Sequence, residues 1–251
     1  MCKLHSWISS TNSIFLRDFS RNISSKKRCC MSDLTPKMAK KLNVYYNTQL
    51  FGLTLNEMRF MIYVVSSIRE RELKREDIED LLSFSVEGFK EVYGVTCADA
   101  RRVFSRVAES FEAMEGEHSA WVDYIELNRN EISLMLSSKV KDLIFDEKRP
   151  LFNFQISDVI DLHSSIALRF YDFIYDNKLT NQEFYLSIDE VRDVCLAYSG
   201  SYQSVSNVRS KLVNQSIKLI NKSTPLLLTV SRRCKETAGD FKFNCIKNNV
   251  L

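Results

Sequence analysis

Hydrophobic positions along the chain change between two periods, and they do so twice in the same order. In LTLNEMRFMIYVVSSIRE, Phe60, Met61, Val64, Val65 and Ile68 recur at helical spacing. Thr54 is placed to cap that helix, and Glu57 three residues on completes a capping box. The following ERELKREDIEDLL interleaves acids with Lys and Arg, which predicts a solvated helix face rather than a carboxylate metal site. Next, VEGFKEVYGVTCADARRVFSRVAESFEAM predicts a short helix ending at Tyr93, a left-handed turn at Gly94 and a second helix capped by Thr96. The second helix gathers Ala100, Val103, Phe104, Val107 and Phe111 on one face. SAWVDYIEL and EISLMLS then read as a β-hairpin joined through Asn128-Arg129-Asn130. A helix-turn-helix followed by a hairpin is a winged helix.

A connection around FDEKRPLFNFQISDVIDLHSS, broken at Pro150, leads into the second round. SSIALRFYDFIYDN predicts an amphipathic helix, LSIDEVRDVCLAY a short strand and helix, and SGSYQS a turn. A long helix follows over SVSNVRSKLVNQSIKLINKS, and PLLLTVSRR and DFKFNCI form a hairpin around CKETAG. Sequence identity between the two rounds is negligible, so the repeat is one of architecture. The expected fold class is mainly α with small β-hairpins (α+β), in two tandem winged-helix domains over residues 43–148 and 149–251. Residues 1–42, rich in Ser, Asn and Lys, read as a disordered basic tail, with Met31 as a second candidate start.

Composition narrows the class. The chain has 251 residues, 45% hydrophobic and 27% charged, and its six glycines and three prolines favour helices over long loops. No run approaches the roughly 20 apolar residues of a membrane span, and no continuous apolar segment opens the chain, so no membrane association is expected. Seven cysteines without CxxC spacing, the vicinal Cys29-Cys30 among them, predict free thiols in a reducing compartment. A cytoplasmic, nucleoid- or plasmid-associated protein is the expectation. The net charge of +3 conceals a pattern: +7 over residues 1–42, −11 over 43–194 and +7 over 195–251. A basic C-terminal quarter is the footprint of a polyanionic partner.

Catalytic chemistry finds little support. Tyr45-Tyr46 would suit a nicking tyrosine, but that reaction needs closely spaced metal-binding histidines, and the three histidines are His5, His118 and His163. No GxxxxGK[ST] loop is present to hold a nucleotide. The expectation is a protein without enzymatic activity, metal or cofactor. His163, at the start of an amphipathic helix, reads as a packed or capping residue.

The long C-terminal helix carries the clearest binding pattern. At about 100° per residue, Val205, Val208, Leu212, Ser216 and Ile220 share one arc, and Asn207, Lys211, Asn214 and Lys218 lie opposite. Gln203 and Ser204 lead into this helix, and Arg209 stands at the edge of the apolar arc. Cations suit phosphates and amides suit base edges, which is the chemistry of a helix in a DNA major groove. The hairpin would bring Arg232, Arg233 and Lys235 to a wing tip over the adjacent minor groove or backbone. The corresponding first-round residues are Arg102 and Arg106, with Arg101 and Ser105 on the flanks and Arg129 in the hairpin turn. Asp99, Glu109 and Glu112 share or border that face. The first unit therefore either contacts DNA through a few arginines or chiefly holds another protein chain.

Four segments carry a resemblance: LTLNEMRFMIYVVSSI, EVYGVTCADARRVFSRVAESF, SSIALRFYDFI and VRSKLVNQSIKLINKSTPLLLTVSRR. In order and spacing, over most of residues 45–247, they resemble the plasmid replication initiators of the tandem winged-helix family, the iteron-binding initiator proteins. Ser165, Arg169 and Tyr171 form an S-x-x-x-R-x-Y pattern similar to the family's inter-domain helix, and KLVNQSIKLINKST is similar to its second recognition helix. The resemblance implies a sequence-specific binder of double-stranded origin DNA that opens the origin and recruits host replication proteins, a helicase or its loader. It further implies binding to direct repeats as a monomer and to inverted repeats as a homodimer. The chain departs from the family at Val208, where an aromatic residue is usual, and at CKETAG, where the family's wing is more basic. A transcriptional repressor of the same fold and a protein-interaction scaffold that does not touch DNA are the alternatives.

Overall fold

The computed structural model describes residues 53–78, 80–112, 121–148, 150–232 and 241–247, all within one compact unit, Tyr45–Leu251. The first helix, α1 (Leu55–Glu70), starts on the expected capping box. Thr54 Oγ1 accepts from the Glu57 N–H at 3.4 Å, and the Glu57 carboxylate accepts from the Thr54 N–H at 2.7 Å. Phe60, Met61, Val64, Val65 and Ile68 are all buried on it.

The acidic stretch after α1 does not continue as a helix face. Glu72 takes φ 52, and Asp77 accepts from the Lys74 N–H at 2.7 Å, so local turn bonds compete with helical ones. A single 3-10 turn, Glu76–Ile78, leads to β1 (Leu82–Ser85), whose alternating burial is the period of a strand. The helix-turn-helix then forms as expected. The helix α2 (Val86–Tyr93) ends on Gly94 at φ 60. The helix α3 (Cys97–Glu112) is capped by Thr96, whose Oγ1 accepts from the Asp99 N–H at 3.1 Å. Gly88 allows α2 to approach α1, because a Cβ there would lie 2.5 Å from the Tyr63 hydroxyl oxygen. Phe60, Phe89 and Phe104 join these helices edge to face, with centroids 5.3 Å and 5.5 Å from Phe104.

Strands β2 (Val122–Asn128) and β3 (Glu131–Leu136) make the first hairpin, closed by Arg129 and Asn130 alone. With β1 they form a three-stranded sheet in the order β1-β3-β2, where the sequence pattern predicted only the hairpin. A short helix, α4 (Ser138–Ile144), follows on its Ser137 cap. The second round repeats the plan. It comprises α5 (Ser165–Asp176), β4 (Gln182–Leu186), α6 (Ile188–Cys195), a long helix α7 over residues 205–223, and strands β5 (Leu226–Arg232) and β6 (Phe241–Lys247). Its sheet order, β4-β6-β5, matches the first, with Phe184 opposite Phe243 and their rings 5.0 Å apart.

Three arginines fasten the two rounds together through main-chain carbonyls. Arg69 of α1 donates to the carbonyls of Leu151 and Phe152, and Arg59 donates to that of Ile160 at 3.2 Å. From the other side, Arg169 of α5 donates to the carbonyl of Leu53 at 2.6 Å. His163 is neither packed nor a cap: it is exposed with Nδ1 against the Arg59 guanidinium, and Ser164 caps α5 instead. An exposed imidazole has no burial to lock it, whereas a hydroxyl is short enough to reach the Ala167 N–H.

Candidate nucleic-acid interface

The surface that the charge pattern selects is built on α7 and the turn before it. Ser204 caps the helix, its Oγ accepting from the Asn207 N–H at 3.1 Å. The first turn, Val205–Asn207, is α-helical, Val208–Asn214 is a π-helix, and Gln215–Ser223 is α-helical again. A π turn holds one residue more than an α turn, so everything beyond it lags by about 100°. This is why Val208 is followed in the core by both Leu212 and Val213, four and five residues on, and then by Ser216 and Ile220.

Two expectations change as a result. Val205 leaves the apolar arc and stands 43% exposed. Asn214 and Lys218, beyond the π turn, no longer line up with Asn207 and Lys211. Asn214 and Lys218 instead continue a stripe from Ser206 and Ser210 in steps of four, all four residues exposed. Arg209 and Lys211, also exposed, flank that stripe on either side. Ser206, Ser210 and Gln215 were missed by the sequence reading because the uniform helical projection put the centre of the polar face elsewhere. The paired apolar residues Leu212 and Val213 are the one signal that could have revealed it.

The turn ahead of α7 is fixed from two sides. Arg192 of α6 donates from Nε to the Tyr202 carbonyl at 2.9 Å and from Nη2 to the Gln203 carbonyl at 2.6 Å, while Nη1 pairs with Asp189 at 2.6 Å. Asn207 Nδ2 donates to the Ser201 carbonyl at 2.8 Å. Asn207 and Ser204 are thus committed to shaping the turn, and only the Gln203 side chain is exposed without such a role assigned to it. Between Asp193 and Glu236 no acidic residue occurs. Asp193 itself is turned to the Tyr198 hydroxyl at 3.1 Å, and burial holds its carboxyl above the usual carboxylate range.

Arg232 is the last residue of β5. Its side chain, together with Arg233 and Lys235, lies outside the described residues, as do residues 1–42, Tyr45-Tyr46 and Cys29-Cys30.

In the first round, Arg101, Arg102 and Arg106 are exposed on α3, Ser105 is half-buried, and Arg129 is exposed in the hairpin turn. Arg102 pairs with Asp99 at 3.1 Å. Arg101 donates to Asn130 Oδ1 at 2.8 Å, and the Asn130 carbonyl accepts from the Val86 N–H at 2.9 Å, which pins the hairpin turn to the helices. Two of these arginines therefore have protein partners before any ligand arrives. No group of three metal-ligating side chains occurs among the described residues, and none of their helices is long and apolar enough to cross a membrane.

A family model described as "Initiator Replication protein, WH1" matches residues 37–175. The chain is also similar to the crystal structure of the Pi initiator protein in complex with iteron DNA, at 16% identity and TM-score 0.62. That match covers 81% of this chain and 94% of the other, and at this identity it shows a shared fold, the winged-helix initiator fold. No curated protein matches the chain in sequence.

Proposed function

On the premise that the chain belongs to the initiator replication protein family, whose model spans more than half of it, we propose that it is a DNA-binding replication initiator without enzymatic activity. Its ligand is double-stranded origin DNA carrying repeated sites, read chiefly by α7. The observation that carries this reading is the exposed side of α7, where Arg209, Lys211, Lys218 and Lys222 meet no acid of their own helix. An ordinary solvated helix mixes its charges; a helix that neutralises phosphates does not. The likeness to an initiator solved with iteron DNA supports the same reading.

The work of initiation would come from binding energy. Groove insertion and phosphate neutralisation stabilise a bent duplex and favour strand opening at an AT-rich tract. The first unit, with Arg101 and Arg102 already paired, contributes less to affinity and offers a surface for a second copy or for a host helicase or its loader. A minimal replicon tests the proposal: the gene and its flanking DNA are placed on a vector that cannot otherwise replicate. Transformants are expected, and a stop codon early in the gene should abolish them. Transformants that survive the stop codon would refute an initiator, and loss of promoter control without loss of replication would assign a repressor.

A further inference from the structure

Val205 is an apolar residue of α7 that the fold leaves outside the core. It is a β-branched apolar residue on the first turn, 43% exposed, while Val208 three residues on is completely buried. A β-branched residue there weakens the helix slightly and gains nothing from the core. Beside it, Ser206 and Ser210 head the stripe that points away from the core, and their side chains are the shortest on that stripe. Arg209 and Lys211, one on each side, are the longest nearby. A helix with short groups along its crest and long cations on its flanks can bring its backbone close to the floor of a groove while both walls are neutralised.

Resting on the DNA-binding reading above, we propose that Val205, Ser206 and Ser210 are the sequence-reading residues of α7. Val205 packs against the C5-methyl group of a thymine in the major groove. The two serine hydroxyls hydrogen-bond neighbouring base edges, and Arg209 and Lys211 bind the flanking phosphates. Major-groove recognition uses this pairing of an apolar side chain with the thymine methyl, and a serine hydroxyl can serve as donor or acceptor to an adjacent base. The π turn is what makes the arrangement possible. It withdraws Leu212 and Val213 into the core together and leaves Ser206, Ser210 and Asn214 in line.

The test is in-vitro selection by the full chain from randomised duplexes, followed by affinity measurements on the selected duplex with each thymidine replaced in turn by deoxyuridine. At one position the loss of the methyl should weaken the wild type about fourfold, the worth of one buried methyl group. The same replacement should leave Val205→Ala unaffected. Ser206→Ala and Ser210→Ala should bind poly(dI-dC) as the wild type does and lose base preference beside that thymine. All three sites are exposed, so thermal unfolding should show no loss of stability in the variants, and a slight gain in Val205→Ala. A selected motif in which no thymine methyl couples to Val205 overturns the proposal. Failure of the wild type to enrich any motif would instead bring down the DNA-binding reading on which it rests.

Discussion

Arg169 donates from Nη2 to the carbonyl oxygen of Leu53 at 2.6 Å, across 116 residues of sequence. One bond thereby ties the leading helix of the second round to the residue just ahead of the α1 cap, Thr54. Burial lowers the Arg169 pKa from its ordinary value without costing it its charge. Arg169→Met keeps the aliphatic stem and leaves the Leu53 carbonyl without this donor. The expected loss is about 2 kcal/mol, as for a hydrogen bond to a charged group. Urea unfolding should show it as a lower midpoint with an unchanged slope; an unchanged midpoint would show the bond to be dispensable.

Gly88 makes a different prediction. Gly88→Ala places a methyl group 2.5 Å from the Tyr63 hydroxyl oxygen, so α2 must move away from α1. Overpacking of this kind costs about 1–3 kcal/mol. Combining Gly88→Ala with Tyr63→Phe removes the obstructing oxygen and should recover part of the loss in thermal unfolding.

For Lys211, the readout is salt. Lys211→Ala should weaken DNA binding and lower the slope of log affinity against log salt by about one unit. Asn207→Ala should leave that slope alone, because its amide holds the Ser201 carbonyl rather than a phosphate. If the Lys211 variant keeps the wild-type slope, that lysine is not at the interface.

Alkaline pH should destabilise the fold. Burial pushes the Cys195 thiol from 9.0 to about 12 and Cys245 from 9.0 to about 11, and raises the Tyr93 and Tyr171 phenols as well. All four are neutral when folded and free to ionise when unfolded. Above about pH 9 the unfolded chain therefore holds fewer protons, and stability falls as pH rises, by up to ~1.4 kcal/mol per unit and group. Urea midpoints should be level near pH 8 and clearly lower near pH 10.5; a level midpoint across that range would contradict the burial of these groups.

Sequence periodicity was informative wherever local chemistry and tertiary packing agree. Thr54, Gly94 and Thr96 mark ends that the structure places at the same residues, because caps and left-handed turns are decided by groups a few positions apart. Strand β1 and helix α4 were not legible. Four residues of LSFS form a strand only because Ile132 and Leu134 of β3 lie opposite. The π turn was hidden for a related reason: Val208 and Leu212 fit an α pattern equally well, and only the burial of Val213 separates the two. Half of the candidate interface followed from composition, since the absence of acids is a property of sequence. The rotation of Asn214 and Lys218 and the exposure of Val205 depended on a single extra residue in one turn.

The fastening between the two rounds ends on main-chain oxygen rather than on carboxylates, through Arg59, Arg69 and Arg169. Dissolved ions weaken exposed charge pairs over distances of about 8–10 Å, but a partly buried cation on a neutral carbonyl offers them little to compete for. Brine strong enough to strip the chain from a polyanion would leave this joint closed. The molecule is built to let go in one piece, so dissociation under salt should measure its grip and not the integrity of its frame.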